Sequence, residues 1–175
     1  MGSMNEGDFN PPADLEMTVE RRGETAVITA RLEQPAEFCY RLFCRVDDVP
    51  GWLWVVGRAV VQERDAQGRA LEVDFMGSLK RASIAYSLSY TFDDDLLEVC
   101  WHRRSGSLRA LAGAARFTPE ADGGCRMRYV LHSELPEGLP RWEDELYQSR
   151  PAEAVMLDFC DWVDRKWEER RPTEG

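Results

Sequence analysis

A chain of 175 residues, 43% hydrophobic and 31% charged, is long enough for one globular domain with a sizeable core and too short for two of ordinary size. Its 32 acidic against 22 basic side chains leave a formal charge of −10, which argues against nucleic acid as a partner because phosphate binding draws its affinity from clustered Lys and Arg. No apolar stretch approaches the roughly 18 residues of a membrane-spanning helix and the polar N-terminus lacks the pattern of a secretory signal, so a cytoplasmic protein without an integral membrane segment is expected.

Residues 1–14 read as a disordered lead-in: Met1-Gly2-Ser3 has the look of a cloning scar, and Asn5–Asp14 carries two prolines. A single domain is expected over 15–171. Met17–Leu32 alternates and is rich in Val, Ile and Thr, which predicts a strand, with Arg22-Gly23 as a point where it can break. Pro35-Ala36-Glu37 opens a helix in which Phe38, Leu42 and Val46 recur at helical spacing. Asp47–Gly51 stops it and leaves room for a second short helical turn before Trp54.

From Trp54 onward, strand patterns are separated by turn chemistry at Asp65–Gly68, Asp93–Asp95, Ser105–Ser107 and Ala121–Gly124. Links this short make neighbouring strands antiparallel. Leu71, Val73 and Phe75 alternate with acids, and Ile84, Tyr86, Leu88, Tyr90 and Phe92 alternate with Ser and Thr, so each strand has one dry and one wet face. Leu97, Val99 and Trp101 continue the alternation, followed by Leu111, Gly113, Ala115 and Phe117, then Met127, Tyr129 and Leu131. After the Pro-bearing loop Leu135–Gln148, the stretch Arg150–Arg171 places Ala152, Val155, Met156, Phe159 and Val163 at helical spacing. Ser149 can cap this helix and Pro172 ends it. It is the longest helix in the chain, and the sheet's apolar face must pack largely against it.

The five cysteines are odd in number, widely spaced and without a CxxC, which indicates free thiols rather than a disulfide framework or a zinc site. Two histidines, His102 and His132, are too few for a His-rich metal centre, and both fall on registers that point away from the core. No metal site and no cofactor fingerprint is read, and no Ser-His-Asp set or phosphate loop stands out.

Inward registers collect a candidate ligand-binding set: Trp52, Trp54, Phe75, Tyr86, Tyr90, Trp101, Leu111 and Tyr129 as apolar wall with a few hydroxyls, and Val155, Met156 and Phe159 from the final helix. Each aromatic can equally be ordinary core. The small residues of Ala110–Ala115 either open a cavity or let the helix sit closer. Arg103 and Arg109 continue the inward registers near one end of a hairpin; there they can hold a ligand carboxylate or enolate oxygen, or reach solvent past the sheet's rim. No residue is assigned a catalytic role.

The order of elements resembles the START-domain and polyketide-cyclase (SRPBCC, Bet v 1-like) superfamily over roughly Met17 to Trp167. The resemblance is carried by Leu32–Leu42, by Asp47 with Pro50-Gly51-Trp52, by the Tyr86 to Tyr90 strand, and by Gly113–Pro119 before the Gly-Gly turn. It implies an α+β helix-grip fold: a curved antiparallel sheet of about seven strands wrapped around a long C-terminal helix, with two short helices after the first strand. It further implies a hydrophobic small-molecule ligand, lipid- or polyketide-like, held in a cavity between sheet and helix. The alternative is a polyketide aromatase/cyclase or dehydratase acting in the same cavity. These motifs are structural, so they speak for fold more than for activity.

Overall fold

The computed structural model describes residues 15–53, 56–79, 82–106, 109–134 and 151–170. Eight strands form one antiparallel sheet: β1 (Met17–Arg22), β2 (Thr25–Leu32), β3 (Val56–Arg64), β4 (Ala70–Leu79), β5 (Ala82–Asp93), β6 (Glu98–Gly106), β7 (Ala110–Pro119) and β8 (Cys125–Glu134). Their spatial order is β1-β2-β8-β7-β6-β5-β4-β3, so the meander from β3 to β8 returns the chain to the side of β2. Helices α1 (Ala36–Cys44) and α2 (Val49–Trp52) follow β2, joined by a short 3-10 turn at Val46–Asp48, and α3 (Pro151–Glu169) crosses the sheet. This is the expected helix-grip architecture.

Eight strands stand where about seven were expected, because the first alternating run does break at Gly23. Its φ of +59° is a conformation that a side chain with a Cβ adopts only at a cost, and there the chain folds back so that Arg22 pairs with Thr25. A second departure is Leu97. It sits at φ +51° in the turn before β6 rather than in the strand, and the alternation resumes only at Glu98.

The concave face of the sheet carries Ile28, Val73, Phe75, Leu88, Val99, Ala115, Phe117, Met127 and Tyr129, all buried, while Arg126, Arg128, Arg116 and Thr118 stay wet. Helix α3 turns Ala152, Met156, Phe159 and Val163 toward this face, each at 0% exposure. Fully burying one such large side chain stabilises the fold by about 1.5–3 kcal/mol. The Phe159 ring lies 5.1 Å from Phe43, 5.4 Å from Trp52 and 6.0 Å from Phe117, centroid to centroid, so helix, sheet and α1 meet in one aromatic cluster. Two polar ties fix the helix along β2. Arg21 of the edge strand pairs with the buried Glu153 in the first turn, and Gln34, just past β2, donates to Asp164 Oδ1 at 2.8 Å toward the other end.

Candidate functional site

Helix α1 covers one end of the sheet. That end holds the β3–β4 turn, the β5–β6 turn and the junction where Leu32 pairs with Cys125. At the opposite end, where β4 meets β5 and β6 approaches β7, the concave face carries the strip on which the site expectations converge. In its register Phe75 pairs with Tyr86, Val73 with Leu88, Tyr90 with Trp101, and Trp101 with Gly113, while an irregularity after Ser87 sets Leu88 opposite Arg103. The rings form two groups, Phe75 stacked on Tyr86 at 5.4 Å, and Trp101 tilted against Tyr90 at 6.4 Å and against Tyr129 at 5.6 Å. Leu111 is buried next to them on β7.

The small residues of β7 act here by packing. A Cβ on Gly113 would lie 2.4 Å from Trp101 Cζ2, because the indole lies across the space that a side chain would need. The glycine therefore seats Trp101 and leaves no void of its own.

Arg103 gives the strip its charge. It follows Val99 and Trp101 on the inward register, half-buried, with Nη2 donating to Gly106 O at 2.9 Å. Its Nε–H is buried and has no hydrogen-bond partner among the described residues. Leaving such a group unmatched costs about 1–3 kcal/mol or more, so a donor of this kind invites an acceptor. Two strand positions away, burial pushes the Tyr90 phenol well above its ordinary pKa, reinforced by the neighbouring Tyr86 and Tyr129 phenols. At neutral pH Tyr90 is a neutral hydroxyl, able to donate a hydrogen bond or a proton.

The other expected residues sort themselves by element. Trp52, Met156 and Phe159 belong to the closed aromatic cluster, and Val155 is half-buried beside it. Arg109 precedes β7 and is exposed; its amide donates to Glu134 O, and its charge acts on Glu24 rather than joining Arg103. The inward reading of Arg109 fails because the alternation is set by the strand, which begins only at Ala110. Trp54, the lead-in 1–14, the loop at 135–148 and the Ser149 cap lie outside the described residues.

A second concavity was not visible in the sequence. A pocket of about 530 Å³ opens between α1 and the two turns at the covered end, lined by Tyr40, Arg41, Cys44, Arg45, Arg69 and Asp94 among others. Tyr40 Oη donates to Asp94 Oδ1 at 2.8 Å and Arg69 Nη1 reaches the same oxygen at 2.7 Å, while the Arg69 guanidinium lies 4.5 Å above the Phe92 ring. The bond from Tyr40, then that from Arg69, holds the Asp94 carboxyl below its usual range. The network closes on itself, and it joins α1 to both turns. Burial pushes the Cys44 thiol up to about 11 and Cys160 up to about 12, so neither is a thiolate nucleophile at neutral pH.

No protein-family model matches the sequence, and no curated protein matches it. Solved structures do match the fold. A START superfamily protein from Mycobacterium smegmatis aligns with TM-score 0.71 at 12% identity, over 82% of this chain and 99% of that one. The Zhui aromatase/cyclase from Streptomyces sp. R1128 aligns with TM-score 0.66 at 12% identity, over 92% and 99%. A STAR-related lipid transfer protein fragment from Xanthomonas axonopodis aligns with TM-score 0.64 at 11% identity, over 89% and 96%. At these identities the likeness establishes a START-like helix-grip fold and leaves the activity to be argued from the site.

Proposed function

We propose that the protein binds a hydrophobic small molecule bearing an anionic or strongly polarised oxygen, held against the concave strip from Phe75 to Tyr129. The observation that carries this reading is the buried Nε–H of Arg103, without a hydrogen-bond partner among the described residues, at the head of an apolar aromatic wall. The strip supplies burial for a flat or chain-like body, and Arg103 supplies a charge-assisted donor for its oxygen. A lipid transfer protein among the structures of like fold agrees with an apolar cargo.

The test is a titration with a medium-chain fatty acid and with the alcohol of the same chain length. A hydrogen bond to a charged group contributes about 1.5–3 kcal/mol, so the acid should bind on the order of tenfold to a hundredfold more tightly. Arg103→Met should erase that preference while the alcohol still binds. Absence of saturable binding by either, or a preference that survives Arg103→Met, would refute the reading.

A second reading rests on Tyr90. A neutral phenol two strand positions from Arg103 suits an aromatase/cyclase or dehydratase, the arginine polarising a carbonyl and the phenol exchanging a proton, with the wall holding a polyketide-like chain folded. The Zhui aromatase/cyclase among the structures of like fold supports it. Incubation with a poly-β-ketone intermediate should then change the product spectrum, and Tyr90→Phe should abolish the change. An identical spectrum with and without protein removes this reading for that substrate.

A further inference from the structure

On the outer face of the sheet, at the end where β1 turns into β2, three side chains converge. Glu24, His132 and Glu134 each offer a ligand atom, and these atoms all lie within 4.8 Å of one another. We propose that Glu24, His132 and Glu134 form a binding site for a divalent transition-metal ion, independent of the concave strip, with zinc as the metal that the donor set suits best.

The backbone builds the convergence. His132 and Glu134 stand two apart on β8 and therefore share its outer face. Thr25 is the cross-strand partner of His132, which places Glu24, one residue earlier, beside the end of β8. The Ser133 amide donates to Glu24 O at 3.4 Å, so the turn is pinned to the strand through main chain as well. The imidazole is oriented from outside the donor set: Thr25 Oγ1 lies 2.9 Å from His132 Nδ1. With Nδ1–H donating to that hydroxyl, Nε2 keeps its lone pair for a metal, which is the arrangement by which ligating histidines are commonly held.

The chemistry of the set selects the ion. One imidazole nitrogen and two carboxylate oxygens match zinc and its first-row neighbours, with water completing the shell. Calcium takes six to eight oxygens and no nitrogen, and is not matched. Glu24 and Glu134 face each other closely, and the Arg109 guanidinium offsets part of their charge. A divalent ion neutralises both carboxylates at once. Donor atoms up to 4.8 Å apart must draw in to stand about 2.0–2.2 Å from a common ion, and Glu24, exposed in a turn, has the freedom to do so. Bound there, the ion clips the edge hairpin to the end of β8.

The experiment is a calorimetric titration of the full chain with zinc sulfate, after chelator treatment and with the thiols reduced, beside His132→Ala and Glu134→Gln. The expected result is one saturable site, at least about tenfold weaker in each variant, and a melting temperature raised by zinc in the parent protein alone. If His132→Ala does not fold, Glu24→Gln carries the test, because that residue is exposed in a turn. The cobalt-loaded protein distinguishes the five thiols: a spectrum without sulfur-to-metal charge transfer is expected. No saturable uptake, uptake unchanged in both variants, or a thiolate charge-transfer band would overturn the proposal.

Discussion

Arg103 and Phe159 show how differently two residues from the same inward pattern behave. Phe159 is at 0% exposure with Phe43, Trp52 and Phe117 around its ring, and Phe117 is at 1%. Phe159→Ala and Phe117→Ala should therefore each cost about 3–5 kcal/mol in chemical denaturation, since both remove a packed ring from one cluster. A much smaller loss at Phe159 would place it beside open space instead. Asp94 gives a prediction in pH. Its carboxyl is depressed by the bond from Tyr40 and then by Arg69, so the folded state binds its proton less readily than the unfolded chain, where the pKa is about 3.9. That contribution to stability is complete above the unfolded value and is lost as pH falls through the depressed one. Tyr40→Phe should bring the Asp94 titration, followed by NMR of the side-chain carboxyl, back up toward the ordinary range. An unmoved titration would mean that the phenol does not hold it. Arg109 could not be placed from the sequence, because its position depends on where β7 begins, and a one-residue difference in that boundary decides which face it joins.

At the scale of elements, the alternation of β4, β5 and β6 was readable almost residue by residue, because one face of each strand is buried and a slip would expose all of it. What the alternation does not carry is the partner across the sheet. That Gly113 accommodates Trp101 depends on the β6–β7 register, and the small-residue run Ala110–Ala115 is by itself consistent with a cavity or with close packing. Gly113→Ala separates the two uses. With a Cβ 2.4 Å from the indole and 2.6 Å from Val130 O, the variant should lose about 1–3 kcal/mol and shift the tryptophan fluorescence. A neutral effect would mean that the strip has room to spare. The grip of the long helix is testable at its first turn. Glu153 is 4% exposed and is held by Arg21 from the edge strand. Arg21→Leu leaves a buried carboxylate without that partner and should cost about 1–3 kcal/mol, most of it recovered by Arg21→Lys. Equal losses for both variants would mean that a positive charge at this position is not what holds Glu153.

For the whole molecule, the sequence carries the fold because a meander with short turns and one long amphipathic helix has few other ways to bury its apolar faces. Sites assembled across the sheet are another matter. Glu24 and His132 come together only through the β2–β8 pairing, which closes the sheet after the entire meander has been built. The pocket between α1 and the turns is likewise made from three separate segments. The concave strip lies between these cases: its members were readable as inward residues, whereas the unmatched Nε–H of Arg103 becomes visible only when its neighbours are in place. The central claim is that this strip holds an apolar ligand, and photo-crosslinking with a diazirine-bearing fatty acid tests it most directly, with the labelled residues mapped by peptide mass spectrometry. Labelling is expected on the inward registers of β4 and β5, at Phe75, Tyr86, Leu88 and Tyr90, competed away by the unlabelled acid. Labelling confined to Tyr40 and Arg41 of the α1 pocket or to the sheet's outer face, or labelling that the unlabelled acid does not displace, would contradict it.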